Sequence, residues 1–264
     1  MKSKLLIKAQ VTIFIIIAIA VILSVIIFFG IKTNIFDFKQ ENLIKSKDII
    51  NKLDSKYWPI YNSVETCIID LGYDAIEHMG ETGGYYEKPP HYLELEKINM
   101  TIAYYFKNGN RYMPPKEIIE SELNLYMDKN LKNCTSLNLF ALFYNFTIKE
   151  GIIETKTEIN QDDVAFYVNY PIYVYDGDYN FTLRGFQVVL PVRLGSIHDV
   201  ISIYLGNQAK HGSEECTDCF EDLDLNITIQ RIKPERNLSI FFIMDEKSLV
   251  KGRDFTVIFA NEYV

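Results

Sequence analysis

The chain has 264 residues, 35 acidic against 27 basic, a formal charge of −8 and a mean hydropathy of −0.01. That length holds one large domain or two small ones with a real core. The acidic balance disfavours nucleic acid and anionic lipid as partners and suits solubility or cation binding.

From Val11 to Phe29 there is no charge, and fifteen of the nineteen residues are Val, Ile, Leu or Phe. A spanning helix needs about 20 apolar residues to cross about 30 Å of hydrocarbon, so residues 11–30 read as a transmembrane helix. Lys2, Lys4 and Lys8 precede the run without an acidic residue. The positive-inside rule therefore leaves residues 1–10 in the cytoplasm and sends the rest out, as a single-pass protein of the cell membrane. Ala18-Ile19-Ala20 has the small residues of a signal-cleavage site, but the apolar run continues nine residues beyond it, which favours a retained signal anchor.

Beyond residue 30 stand 35 acidic and 24 basic residues (the 27 less the three N-terminal lysines), a formal −11. Ile35, Leu43, Ile44, Ile49, Ile50 and Leu53 form an apolar stripe, so residues 31–58 are expected as a helical stalk that Pro59 ends. Residues 59–264 then make an extracytoplasmic domain. A helix is predicted over 62–79, stopped by Gly80, followed by a Gly/Pro loop over Glu81–His91. A short hairpin turns at Asn108-Gly109, and a helix runs from Lys116 to about Asn133. Strands are predicted over Phe140–Lys149, Ile153–Ile159 and Val164–Tyr175, with an Asp176-Gly177 turn into a return strand over 179–194. A helix over 196–206, an irregular acidic stretch over 208–224 and strands over 225–232, 237–244 and 254–261 complete the chain. Early helices and late strands argue an α+β fold with a mainly antiparallel sheet.

Four cysteines lie in the outer part: Cys67, Cys134, Cys216 and Cys219. An even count in an oxidising compartment reads as two disulfides, and of three pairings Cys67–Cys134 with Cys216–Cys219 is favoured. Cys216-Thr217-Asp218-Cys219 is a C-x-x-C, but its acidic flanks would raise a thiol's pKa, against a redox role. With His211 five residues upstream, the same cysteines are the metal candidates, a zinc set needing a fourth ligand from Glu214 or Glu215. Asp176, Asp178 and Asn180 begin like a calcium loop, which then fails at Phe181 and Gln187. Asn-x-Ser/Thr acceptors for glycosylation occur at Asn99, Asn133, Asn145, Asn180, Asn226 and Asn237, all in the outer part. The loop over Gly83–His91 offers Tyr85, Tyr86 and Tyr92 as exposed aromatics for binding a glycan or peptide. No metalloprotease spacing, G-x-S-x-G, phosphate loop or dinucleotide fingerprint occurs, so no catalytic residue and no cofactor is assigned.

Lys8-Ala9-Gln10-Val11-Thr12 before the apolar run resembles the class III signal of archaeal type IV pilin-like proteins. The resemblance implies cleavage between Ala9 and Gln10; Phe14 stands where those pilins usually carry Glu. The chain as a whole is similar to uncharacterised single-pass surface proteins of small-genome archaea. The shared features are Glu65-Thr66-Cys67, Gly83-Gly84-Tyr85 with Pro89-Pro90, Cys134, Pro191-Val192-Arg193-Leu194-Gly195 and Asp245-Glu246-Lys247-Ser248. That resemblance implies a cell-surface setting. Together these readings predict a membrane-anchored, non-enzymatic surface protein with a structural or binding role, either a pilin-like subunit or an envelope module. Its expected partners are the bilayer through residues 11–30, further copies of itself or other envelope proteins. The alternative is an anchored extracellular hydrolase with a dispersed site.

Overall fold

A computed structural model describes residues 55–96, 100–212, 214–216, 219–220 and 227–263. The expected span over 11–30, most of the stalk, Ala9 and Gln10, Asn99 and Asn226 lie outside the described residues. Among the described residues no helix is long and apolar enough to cross a membrane. The architecture is α+β with early helices and mainly antiparallel sheets.

A 3-10 turn, Ser55–Tyr57, leads into helix α1, Trp58–Thr82. Pro59, expected to end a helix, instead opens this one: its missing N–H costs nothing in a first turn, and its φ is already helical. Gly80, expected as the stop, lies inside the helix. A Cβ there would overlap the backbone oxygen of Thr256, so Gly80 lets helix and strand approach closely. The true terminator is Gly83, left-handed at φ 70°, whose N–H caps the Met79 carbonyl. Two turns before Gly80, Gly72 gives a similar closeness to Leu190 and Phe166. Helix α2, Lys116–Thr135, follows Pro115, and Cys67 of α1 is disulfide-bonded to Cys134 of α2 with Cα atoms 5.8 Å apart.

The large sheet is built from β1 (Tyr92–Leu95), β2 (Met100–Lys107), β10 (Ile227–Glu235), β11 (Leu238–Val250) and β12 (Arg253–Glu262) in the order β1-β2-β12-β11-β10; β3 (Asn110–Arg111) pairs beside β2. Every pairing is antiparallel except β12 with β2. β1 falls between the predicted loop, which ends at His91, and the predicted hairpin, in a stretch given no element. The closing hairpin turns on Lys251 and Gly252, both left-handed, so β11 runs on to Val250, past its predicted end at 244. On one face Phe241, paired with Phe259, stacks at 5.1 Å and receives Tyr204 from helix α4, Leu194–Lys210. The other face carries a second apolar layer of Ile102, Tyr104, Leu238, Ile240, Ile258 and Ala260.

The middle of the chain departs most from expectation. The stretch predicted as a strand over Phe140–Lys149 is helix α3, Leu137–Tyr144, ended by left-handed Asn145, followed by β4, Thr147–Glu150. A short apolar run with aromatics fits either element, and here the helix prevails. The predicted strand Val164–Tyr175 is two strands, β6 (Val164–Asn169) and β7 (Ile172–Asp176); the predicted return strand is β8 (Tyr179–Leu183) and β9 (Phe186–Leu190). With β5 (Glu154–Ile159) they form two three-stranded sheets, β4-β7-β8 and β5-β6-β9. These are one antiparallel meander creased across all three strands, at Gly151, Pro171 and Gly185. Pro171 cannot donate to a ladder, the Gly151 N–H donates to its carbonyl at 2.7 Å, and Gly185 is left-handed at φ 78°.

Candidate functional site

The loop after α4 brings together His211, Cys216 and Cys219, whose ligand atoms all lie within 4.8 Å of one another. The structure places it through α4. Gln208 is fully buried; its amide donates to the Glu214 carbonyl at 2.7 Å and its oxygen accepts the Cys216 N–H at 2.9 Å. Phe220 stacks on Tyr204 at 3.9 Å. The cysteines form a disulfide. In that state neither sulfur is a thiolate, the form that a metal or an electrophile requires. Glu215, one of the two acids considered as a fourth ligand, is committed elsewhere: its carboxylate accepts from Ser239 at 2.8 Å and Arg231 at 2.9 Å, and pairs with Lys233. Burial pushes the Glu215 carboxyl up, but these donors hold it below the usual carboxylate range. The geometry therefore describes a fastening for the loop, with the disulfide closing it.

The glycine-rich loop turns inward. Tyr85 and Tyr86 are half-buried, while Tyr92, at the start of β1, is exposed. Thr82 donates to the Tyr85 carbonyl, the Tyr86 N–H donates to Glu122 at 2.9 Å, and His78 Nε2 meets the Tyr86 carbonyl at 3.0 Å. The Tyr86 ring sits edge-on to Tyr126 at 5.0 Å. Burial raises the Tyr85 hydroxyl above its ordinary value. Outside the loop opens a cleft of about 540 Å³ lined by His78, Glu81, Thr82, Tyr86, Lys88 and Met100. The Asp176-Gly177 turn forms where the sequence puts it, and the Asp176 carboxylate accepts from Tyr57 at 3.1 Å and pairs with Lys56. The acceptor asparagines Asn133, Asn145, Asn180 and Asn237 are all exposed.

No protein-family model matches the chain, and no match is found among characterised proteins or solved structures.

Three features escaped a residue-by-residue reading. The first joins Arg193 to Asp245. The Arg193 guanidinium grips the Asp245 carboxylate with two donors, Nε at 3.0 Å; Ser248 donates to the same carboxylate at 2.6 Å and accepts the Arg193 N–H at 2.9 Å. Asp245 is fully buried, at the bulge where the β11–β12 register shifts. Burial pushes its carboxyl up, but Arg193, Ser248 and the Lys247 amide hold it below the usual range. Both residues lie in motifs that the family resemblance had marked, yet 52 positions separate them, and nothing local in either predicts the pairing.

The second is a polar seam between α2 and β5. Glu120 accepts the Ile159 N–H at 2.8 Å. Four residues on along α2 come Asn124 and then Asp128; two residues back along β5 come Thr157 and Thr155. A helix advances about 6 Å over four residues and a strand about 6.6 Å over two, so the two series stay in step. Among the described residues, Asn124 Oδ1, Asp128 Oδ1, Thr155 Oγ1 and Thr157 Oγ1 are buried without a hydrogen-bond partner. Burial raises the Asp128 carboxyl, and Thr155 lies near enough to relieve part of that.

The third is α3. Its sequence, Leu-Asn-Leu-Phe-Ala-Leu-Phe-Tyr, has no charge, yet Leu137 alone is buried. Leu142 and Phe143 are 78% and 79% exposed. The signal that could have found it is charge: between Lys132 and Lys149 no residue is charged.

Proposed function

We propose that the chain is a membrane-anchored, non-enzymatic surface protein. Residues 1–10 lie in the cytoplasm, residues 11–30 span the membrane, residues 31–58 connect, and the domain is displayed outside for a structural or binding role. The observation that carries this is the uncharged run Val11–Phe29 behind Lys2, Lys4 and Lys8. Two further facts support it: all four cysteines are paired, as an oxidising compartment favours, and the four described glycosylation acceptors are open to solvent. Within this reading the chain is a pilin-like subunit or a single envelope module. Protease treatment of intact cells should release fragments of the domain and leave a short membrane-protected remnant. An intact chain after shaving, with full digestion only after lysis, would refute the proposal. The N-terminus of the protein from native membranes then separates the two forms: Gln10 for prepilin-type processing, Met1 for a plain anchor.

A further inference from the structure

We infer that the loop after α4 is a redox-gated site for a thiophilic divalent cation, with zinc the closest fit. Closed, it is the Cys216–Cys219 disulfide; reduced, His211 and the two cysteines hold the ion. The inference goes beyond the surface-protein reading and does not rest on it.

Cys216 and Cys219 are separated by two residues, the gap with which a cysteine pair chelates one zinc ion. His211 adds a ring nitrogen, and the three ligand atoms already lie within 4.8 Å of one another. A tetrahedral site with zinc bonds of about 2.1 to 2.3 Å sets its donor atoms roughly 3.5 to 3.8 Å apart. The cysteine Cα atoms stand 5.7 Å apart, which leaves that adjustment to side-chain rotation once the bond is open. With Glu215 committed to β10 and β11, water takes the fourth position, which exposed His211 and half-buried Cys219 leave within its reach.

The scaffold of the loop does not depend on sulfur. Fully buried Gln208 organises it from inside: its carbonyl accepts the His211 N–H at 3.0 Å, its amide donates to the Glu214 carbonyl, and its side-chain oxygen accepts the Cys216 N–H. Gly212, left-handed at φ 67°, turns the chain away from α4. Glu215, just before Cys216, is tied to Ser239, Arg231 and Lys233; Phe220, just after Cys219, stacks on Tyr204. Each cysteine therefore has an anchored neighbour. A disulfide adds little to such a fastening, because a bond closing so short a loop gains least from chain entropy. What stays in place when it opens is two thiols and an imidazole held together, the preorganisation a metal needs. The charge agrees. Residues 214–224 hold six acids and no base, a sign that draws a divalent cation.

The opening step needs a reductant, and a small dithiol supplies it. Its first thiolate attacks the more accessible sulfur, Cys219, and Cys216 leaves and takes a proton; its second thiol closes the reductant's own disulfide and frees Cys219. The two electrons and two protons of the dithiol end on Cys216 and Cys219. Zinc then binds both as thiolates and releases those protons to water.

The full-length protein in detergent is treated with dithiothreitol, which is removed without air, and is titrated with Co²⁺ as a spectroscopic stand-in and then with Zn²⁺. The oxidised protein should show no thiolate-to-cobalt charge transfer. The reduced protein should bind one Co²⁺ per chain with that absorption and exchange it for one Zn²⁺. Isotope-coded alkylation read by peptide mass should show Cys216 and Cys219 opening before Cys67 and Cys134, and zinc shielding them. His211→Ala should weaken zinc binding at least about tenfold. Cys216→Ser with Cys219→Ser should abolish it, and the alkylation pattern of the unmutated chain decides the point if that variant fails to fold. Reduced protein without charge transfer, shielding of Cys67 and Cys134 instead, unchanged affinity in His211→Ala, or opening only on unfolding would each overturn the inference.

Discussion

Two regions of the domain break the ordinary partition of polar and apolar residues in opposite ways. At the large sheet a charged residue, Asp245, is fully buried against a partly buried Arg193. At the creased meander an uncharged helix, α3, is exposed. An exposed apolar patch and a buried charge are both more informative than the many residues that follow the rule. They teach different things. The Asp245 carboxylate is committed to Arg193 and Ser248 and serves to fasten the start of α4 to the bulge of β11. The exposed helix packs only through Leu137 and the Tyr144–Phe146 stack, and leaves Leu142 and Phe143 open to solvent. Each region also has a disulfide, but of different reach: Cys67–Cys134 beside α3 joins two helices, whereas Cys216–Cys219 closes a short loop against α4 and the large sheet.

Removing Cys67–Cys134 should have the largest effect. Cys67→Ser with Cys134→Ser should lower stability by about 4 kcal/mol, because the bond closes a long loop in the unfolded chain. Cys216→Ser with Cys219→Ser opens only a short loop and should cost about 2 kcal/mol on the same basis. Urea unfolding of the two pairs checks the ranking, and equal losses would show that the unfolded-chain argument does not govern this protein.

Asp245→Ala should cost about 3 kcal/mol, since it leaves Arg193 largely buried without its counter-charge. The pH dependence follows from the sign of the shift. Asp245 has a folded pKa below its unfolded value of about 3.9, so its stabilisation is complete above that value and is lost as pH falls through the folded pKa. Acid should therefore weaken the large-sheet end while the Cys67–Cys134 bond is indifferent to it, and the variant should lose this part of the acid sensitivity. Replacing both partners, Arg193→Met with Asp245→Leu, should recover most of the loss. Thermal melts from about pH 7 to about pH 3 measure all three.

Gly80→Ala should cost about 2 kcal/mol, although alanine is the better helix former. The added methyl would meet the Thr256 backbone, which cannot rotate away. A stabilised variant would mean that α1 and β12 approach less closely than the structure shows.

What the sequence made legible was local. The Asp176-Gly177 turn, α2 and the cysteine pairing each follow from residues a few positions apart or from a count that allows few solutions. What it hid depended on distance or on competition between equal signals. The crease needs Gly151, Pro171 and Gly185 to be aligned across three strands, and no one of them announces it. Leu137–Tyr144 is too short and too aromatic for periodicity to separate helix from strand. Gly80 reads as a terminator until a strand is seen pressing on it. Arg193 and Asp245 lie in separate motifs, and a contact between them is a property of topology alone.

The smallest effect sharpens the comparison, because it concerns a half-buried acid, with one carboxylate oxygen buried. Asp128 stands against Thr155 in the α2–β5 seam, and burial raises its pKa, the reverse of Asp245. A carboxyl whose folded pKa is raised favours folding most when protonated. Its contribution is present below the unfolded value of about 3.9 and is lost as pH rises through the folded pKa. Asp128→Asn removes the charge, keeps the shape and places an amide donor near the Thr155 hydroxyl. It should raise stability by about 1 kcal/mol at about pH 7, with the gain closing below about pH 4. Chemical unfolding at both pH values gives the answer. A loss at neutral pH would mean that the carboxylate is compensated in solution. Repeating the measurement with calcium or sodium chloride would then show whether the oxygens of Asn124, Asp128, Thr155 and Thr157 share a cation, making the seam a second ionic fastening rather than a strained contact.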